Sequence, residues 1–328
     1  MVTLKQIAQV CNVSVTTVSR VLSDDQTLSV SKANRLKIQR VAKDMGYAKK
    51  HKNHQNHLHI AIVLWYDPKQ EIEDPYYMEI RHGIEKQAKE KGIYIMTLYR
   101  HDAKFNLDQL SNIDGLIALG KFSASEIRAF EKKTKHIVFV DSDPDSHRFD
   151  CVIIDFEKAL DDIAAHLFTT GYQTVGYIGG YENNDDKAAV IETREKLLKK
   201  HLKAHACYDE THVHRGFFTS ESGYALMRKA IDAKTLADVY FCANDSIAIG
   251  AMKALHETNL NIPKDVAIIG FNDIAQARYI HPSLTTLRVE TTAMGQEALL
   301  SLLQRINHPK KLPIKKVVPT TLIKRQSA

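Results

Sequence analysis

Two periods divide this chain. Over residues 3–45 apolar side chains recur every three to four positions. From residue 58 onward, short apolar runs alternate with longer amphipathic stretches. In TLKQIAQVCNVSVTTVSRVL (3–22), Leu4, Ile7, Ala8 and Cys11 fall at i, i+3, i+4 and i+7 and form one face of a short helix. Thr3 stands before that face as its N-cap, Asn12 and Val13 make a turn, and Ser14 caps a second helix. Val18, Val21 and Leu22 give the second helix its own apolar face. Val15, Thr16, Thr17, Ser19 and Arg20 lie on the other side. Ser31 caps a third helix that runs through Met45, with Gly46 at its end and Ile38, Val41, Ala42 and Met45 on its apolar side. The three helices make a small all-α head.

Beyond residue 58 the runs predict strands at 59–65, 93–98, 115–119, 136–141, 151–154, 174–179, 237–242, 266–271 and 284–289. Helices are predicted at 76–91, 123–132, 156–169, 187–200, 220–231, 245–256 and 291–306, with Gly92 and Gly171 among the helix ends. Short apolar strands followed by amphipathic helices indicate parallel sheets covered on both faces. The number of strands exceeds one sheet, so the expected fold is α/β, two doubly wound lobes behind the head. The expected division is 1–57 for the head and its linker, and 58–328 for the lobes.

Charge gives the head a role. Residues 1–57 hold ten basic and three acidic side chains, a surplus of seven, whereas the whole 328-residue chain has 45 Lys and Arg against 39 Asp and Glu, net +6. The remainder therefore carries one net negative charge. A basic tip on a near-neutral body is the electrostatic footprint of a DNA-binding protein. The exposed side of the second helix has the right chemistry for a major groove. Ser and Thr hydroxyls suit phosphates or base edges, Val15 and the Thr methyls suit a thymine methyl, and Arg20 can pair bidentately with guanine. An ordinary helical hairpin with a solvated face is the competing reading. Residues 48–57, AKKHKNHQNH, read as a polar linker, and His51, His54, His57 and His59 have no fixed geometry for a metal.

No run approaches the length of a membrane span, and no signal-peptide pattern precedes Thr3, so a cytoplasmic location is expected. Cys11, Cys151, Cys207 and Cys242 lack metal or disulfide spacing. No GxSxG, Walker A, HExxH or complete GxGxxG occurs, and the His212-x-His214 pair sits in a short polar stretch expected to be exposed. Neither a catalytic set, a cofactor nor a metal is expected, and the chain reads as a non-enzyme.

Ligands of α/β sheets bind off the carboxyl ends of the strands. That rule selects Asp141, Asn244, Asn272 and Lys121, with Tyr66, Asp67, Asp245 and Asp273 beside them. Carboxylates and amides suit a polyhydroxyl ligand. The alternatives are local: Asp245 or Asp273 as helix caps, and Asp141 as a turn residue.

The run TLKQIAQVCNVSVTTVSRVLSDD resembles the N-terminus of the lac/gal repressor family of bacterial transcription regulators. DPYYMEIRHGIE (74–85), ANDSIAIGAMKAL (243–255), NIPKDVAIIGFND (261–273) and HPSLTTLRVE (281–290) resemble the family's regulatory domain, nearest its galactose and β-galactosidase-repressor branch. The resemblance implies lobes of the periplasmic-binding-protein type and a homodimer on a pseudo-palindromic operator. It also implies a galactose-like inducer that bridges the lobes and lowers operator affinity. It adds Arg194 as an effector-binding cation and Phe218 as the aromatic under the sugar, and makes Asp141, Asn244 and Asn272 direct ligands. A surface Arg194 and a core Phe218 are the plain alternatives. Three departures stand out. Asn272 replaces a common Asp, Leu119 replaces a site that is sometimes polar, and the linker has Lys49, Lys50 and Asn56 where a DNA-kinking hinge has Pro, Asn and Leu. The competing function is a sugar-binding or sugar-modifying protein without operator specificity.

Overall fold

The structure, a computed structural model, describes residues 2–22, 28–45, 47, 58–102, 105–183, 189–190 and 192–328. It falls into two compact units, Met1–His54 and Gln55–Ala328. The expected boundary at 57/58, the linker histidines, Lys49, Lys50, Asn56 and the Gly46 helix end lie outside the described residues.

In the first unit, α1 (Leu4–Cys11), α2 (Val15–Leu22) and α3 (Lys32–Asp44) pack around one cluster. Thr3 and Gln6 form a reciprocal capping box, the Thr3 hydroxyl accepting from the Gln6 amide at 3.3 Å and Gln6 Oε1 accepting from the Thr3 amide at 2.8 Å. Asn12 takes a left-handed conformation, φ 55°, and ends α1. Ser14 Oγ accepts from the Thr17 amide at 3.0 Å, and Ser31 Oγ from the Asn34 amide at 3.3 Å, so each cap read from sequence is made. Ile7, Val18, Val21 and Ile38 are fully buried, and Ala8, Cys11 and Ala42 complete the core.

The second unit holds two six-stranded sheets. The first runs β13-β5-β4-β3-β1-β2, all parallel, from β1 (His59–Leu64), β2 (Tyr94–Tyr99), β3 (Gly115–Leu119), β4 (Ile137–Val140), β5 (Asp150–Ile154) and β13 (Lys315–Val318). The second runs β14-β12-β11-β10-β6-β9, from β6 (Val175–Gly180), β9 (Val213–Gly216), β10 (Val239–Cys242), β11 (Ala267–Asn272), β12 (Thr285–Val289) and β14 (Thr320–Ile323). Only β14 is antiparallel to its neighbour there. A two-stranded pair, β7 (Glu182–Asn183) and β8 (Ala189–Val190), stands apart. Helices α4 (Pro68–Glu73), α5 (Tyr76–Glu90), α6 (Ala124–Glu131) and α11 (Thr291–Asn307) serve the first sheet. Helices α7 (Phe156–Thr170), α8 (Thr193–Ala204), α9 (Ser220–Asp232) and α10 (Asp245–Glu257) serve the second. The chain therefore crosses between lobes three times, after β5, after β12 and after β13.

Four expectations are corrected. The helix expected over 187–200 begins at Thr193, because Glu192 is its extended N-cap and 189–190 pair as β8. His212 and His214 are not on an exposed loop. Val213–Gly216 is an edge strand, and the His212 ring packs against the Thr235 carbonyl at 3.1 Å. Strands β13 and β14 and helix α4 were not expected. KKVV and TTLI lack a clean apolar run, and only their neighbours β5 and β12 make them strands. Asp245 does not cap α10. Asn244 does, its Oδ1 accepting from the Ile247 amide at 2.8 Å.

Candidate functional site

On the head, the polar side of α2 presents Val15, 44% exposed, and exposed Thr16, with Thr17, Ser19 and Arg20 half-buried beside them. The Thr17 hydroxyl lies 2.8 Å from that of Ser14, which ties it to the cap. The opposite side, Val18 and Val21, is buried in the core. The N-terminal turn of α2 carries amides that an intrahelical ladder cannot use, the ordinary arrangement for meeting a phosphate.

In the body, the carboxyl ends of both sheets face one cavity. It is lined by Asp141, Lys121, Arg194, Phe218 and Asn272, together with Trp65, Tyr66, Asp74, Tyr76, Tyr77, Phe156 and Phe271. Five of the six effector residues selected from sequence thus share one wall-to-wall space. Two of them sit in strained backbone where strands end: Asp141 at φ 61° and Asn272 at φ 112°.

Asp141 is held by two tyrosines from the first turn of α5. Tyr76 Oη donates to one carboxylate oxygen at 3.0 Å and Tyr77 Oη to the other at 2.7 Å. Burial, followed by the Asp141 charge, raises both phenols well above their ordinary range, so they remain donors. Across the cavity, Arg194 Nε donates to Glu192 Oε1 at 2.6 Å and its Nη1 to the Ala243 carbonyl. Tyr177 Oη donates to the other Glu192 oxygen at 2.9 Å. The guanidinium lies 5.1 Å from the Phe271 ring centre and 5.6 Å from that of Phe218. Phe218 also fills the space over Gly180, where a Cβ would come within 2.7 Å of the ring.

Asn244 is placed differently. It is buried behind the cavity, its Nδ2 donating to Asp74 Oδ2 at 2.9 Å and to the Phe218 carbonyl at 3.1 Å. With Oδ1 capping α10, its hydrogen bonds are spent on joining the lobes. Ser246 adds a second tie, donating to the Glu73 carbonyl at 2.7 Å. Asp74, buried and desolvated, has its carboxyl pushed up to about 6. Asp245 is completely buried. Its oxygens accept from Thr286 Oγ1 at 2.6 Å and from the Ile274 amide at 2.8 Å, and desolvation pushes it up to about 8. Asp273 caps no helix. It pairs with Arg288 at 2.8 Å and Arg325 at 2.6 Å. Asp67 caps α4, accepting from the Gln70 amide at 2.8 Å. Leu119 is fully buried core.

Sequence reasoning passed over Asp74, the Tyr76–Tyr77 pair and the aromatics Phe156 and Phe271. The strand-end rule ignores helix starts and interlobe crossings, which is where most of these sit. The string DPYY (74–77) did carry the signal, as three polar-tipped residues at the N-terminus of an amphipathic helix.

The lining carries two carboxylates, Asp74 and Asp141, against two cations, Lys121 and Arg194, with aromatic rings between them. This is the chemistry of a neutral polyhydroxyl ligand with apolar ring faces.

Comparison with known proteins agrees with both units. Residues 3–50 match the model of bacterial regulatory proteins of the lacI family, and residues 164–328 match the periplasmic binding protein-like domain. The chain is 38% identical over 338 residues to the HTH-type transcriptional repressor MelR of Bacillus subtilis (strain 168), covering 100% of this chain and 97% of that protein. It is 36% identical over 332 residues to the HTH-type transcriptional regulator GalR of Streptococcus thermophilus, covering 100% and 99%. Among solved structures, the transcriptional regulator CelR in complex with cellobiose superposes with a TM-score of 0.71 at 26% identity over the full length of both chains. The chain belongs to the lacI family of bacterial regulatory proteins.

Proposed function

We propose that this protein is a sugar-responsive repressor of transcription whose inducer is galactose or a galactoside. The head binds operator DNA through Val15, Thr16, Thr17, Ser19 and Arg20, and a dimer sets two such faces on the half-sites of a pseudo-palindrome. The body binds the inducer with Asp141, Asn272, Lys121 and Arg194 as hydrogen-bonding groups and Phe218 as the stacking face. Asn244 acts from behind, by holding Asp74 and the Phe218 backbone. The protein works in the cytoplasm and is not an enzyme. Galactoside specificity draws on its similarity to GalR and MelR regulators.

One observation carries the reading most: a helix face of Val15, Thr16, Thr17, Ser19 and Arg20 in a strongly basic head occurs in the same chain as a charge-balanced polar cavity at facing strand ends. Because the cavity draws on both lobes, a ligand there changes the relative stability of lobe arrangements. Only a difference in its affinity for two arrangements can alter DNA binding, with a coupling of about 1–3 kcal/mol being typical. A phosphorylated sugar is disfavoured, because Arg194 is already held by Glu192 and two carboxylates face the same space.

The test is fluorescence anisotropy of the full-length protein on genomic operator candidates, with and without galactose and galactosides. Preferential binding to one duplex, weakened by a galactoside, is the expected result. Equal affinity for every duplex with or without sugar overturns it.

A further inference from the structure

The space at the strand ends has more than one compartment. The inner cavity, between Asp141 and Arg194, has a free volume of only about 30 Å³. That is room for one or two waters, far below the several hundred Å³ of a ligand pocket. Sharing Trp65, Tyr66, Asp74 and Phe218 with it is a chamber of about 530 Å³ that is already open. This chamber lies toward the β2 and β9 edges of the sheets and takes side chains from both lobes.

Its lining has two parts. One is aromatic and exposed: Phe217 is 69% exposed and Tyr181 44%, beside Trp65. Large exposed aromatics at the mouth of a polar cleft are the surfaces on which a ligand's apolar face settles. The other part is polar. It includes Glu73, Gln70, His101 and Arg100, the last fixed by Glu126 at 2.9 Å and by the Lys121 carbonyl at 3.3 Å. A buried, pinned guanidinium loses little entropy when it receives a ligand hydroxyl. On the other flank a smaller chamber of about 350 Å³ sets Lys121, Asp141 and Ser142 beside Phe122, Ile127 and Phe139, but there Phe122 and Phe139 are buried and offer no exposed ring face.

We propose that the inducer has at least two sugar rings. One ring enters the inner cavity, and the second lies in the preformed chamber against Phe217, with hydroxyls toward Glu73, His101 and Arg100. This rests on the sugar-binding reading above and adds ligand length to it. The second ring supplies contacts available before the inner cavity opens, so a disaccharide binds better than either of its halves.

The test is calorimetric titration of the full-length protein with galactose and with α- and β-linked galactobiose, on the parent and on Phe217→Ala. The parent is expected to bind one of the disaccharides at least about tenfold more tightly than galactose, and Phe217→Ala to bring that ratio close to one. Equal affinity for galactose and both disaccharides in the parent overturns the proposal. So does an equal loss for both lengths in Phe217→Ala, which makes Phe217 a support of the inner cavity alone. A ratio that survives Phe217→Ala but is lost in Phe122→Ala puts the second ring in the opposite chamber, and also overturns it. If no galactoside of either length binds, the galactose assignment fails, and the same length comparison with glucose, maltose and cellobiose still decides the question. Binding by none of these sugars overturns both readings.

Discussion

The head and the body solve opposite problems. The head's working face is the one side of α2 that carries Val15 to Arg20, and its structure rests on a small core that, among the described residues, holds Ile7, Ala8, Cys11, Val18, Val21, Ile38 and Ala42. The body's working surface is buried, built from groups more than two hundred residues apart, and backed by two sheets whose central strands are buried. Local chemistry is enough to make the head's surface, but it leaves little stability in reserve. The body has reserve enough to bury acidic side chains such as Asp74 and Glu192 around its site and Asp245 behind it. Changes to the head should therefore act through folding, and changes to the cavity through affinity.

The sharpest break of this contrast is Ile38→Ala. The side chain is fully buried at the centre of the head. Its truncation costs about 2–5 kcal/mol, comparable with the stability of so small a unit. Operator affinity should fall tenfold for each ~1.4 kcal/mol by which that cost exceeds the head's own stability, while calorimetric sugar affinity is unchanged. Intact operator binding would mean that the head is far more stable than its core suggests.

Next in size is Arg194→Lys. It keeps a cation beside the buried Glu192 but loses the fork held by Glu192 and the Ala243 carbonyl. A charged hydrogen bond is worth about 1.5–3 kcal/mol, so inducer affinity should drop roughly 10- to 150-fold. Operator binding without sugar should be unchanged. Normal induction would remove Arg194 from the site.

Arg20→Ala tests the head's surface rather than its core. Loss of a bidentate base contact costs about 1–3 kcal/mol on the specific operator and less on random duplex. An equal loss on both would make Arg20 a phosphate contact. Melting temperature should not change.

The same contrast explains what could be read in advance. Thr3, Ser14, Ser31 and the i, i+3, i+4 apolar faces act within one or two turns, so the three helices and their caps were legible residue by residue. Most central strands of the body were legible for the same reason, since each buries both faces and reads as an apolar run. Asp141, Asn272 and Lys121 could be found because a topological rule places ligands at strand ends, and Arg194 and Phe218 because family resemblance named them. Asn244, expected as a direct ligand, stands behind the cavity: its amide meets Asp74, 170 residues earlier, and no local pattern encodes that pairing. Strands β13 and β14 depend on partners far away in the chain, and Asp74 on its contact with Asn244 from the other lobe. These are long-range facts, invisible to periodicity.

The smallest expected effect is also the most specific to the body. Asp245 lies below Gly270, where a Cβ would stand 2.1 Å from its carboxylate, so this glycine alone lets the acid reach Thr286 and the Ile274 amide. Burial raises its carboxyl from 3.8 to about 8. In this range the folded state binds a proton that the unfolded chain has released. The contribution to stability is therefore full below the unfolded value and is lost as pH rises toward 8, levelling off above it. Asp74 follows the same sign but is spent by about pH 6. The buried His166 and half-buried His214, lowered from 6.5 chiefly by desolvation, act with the opposite sign and only below that value. Between pH 7 and 8 the slope then belongs mainly to Asp245. In Asp245→Asn, Oδ1 can accept from the Ile274 amide and Nδ2 can donate to Thr286 Oγ1, so the loop after β11 is retained. The parent's melting temperature should fall across that interval and that of Asp245→Asn should hold nearly level, by differential scanning fluorimetry. Parallel curves would show that Asp245 is ionised in the folded protein and that the body pays for this charge through its two donors.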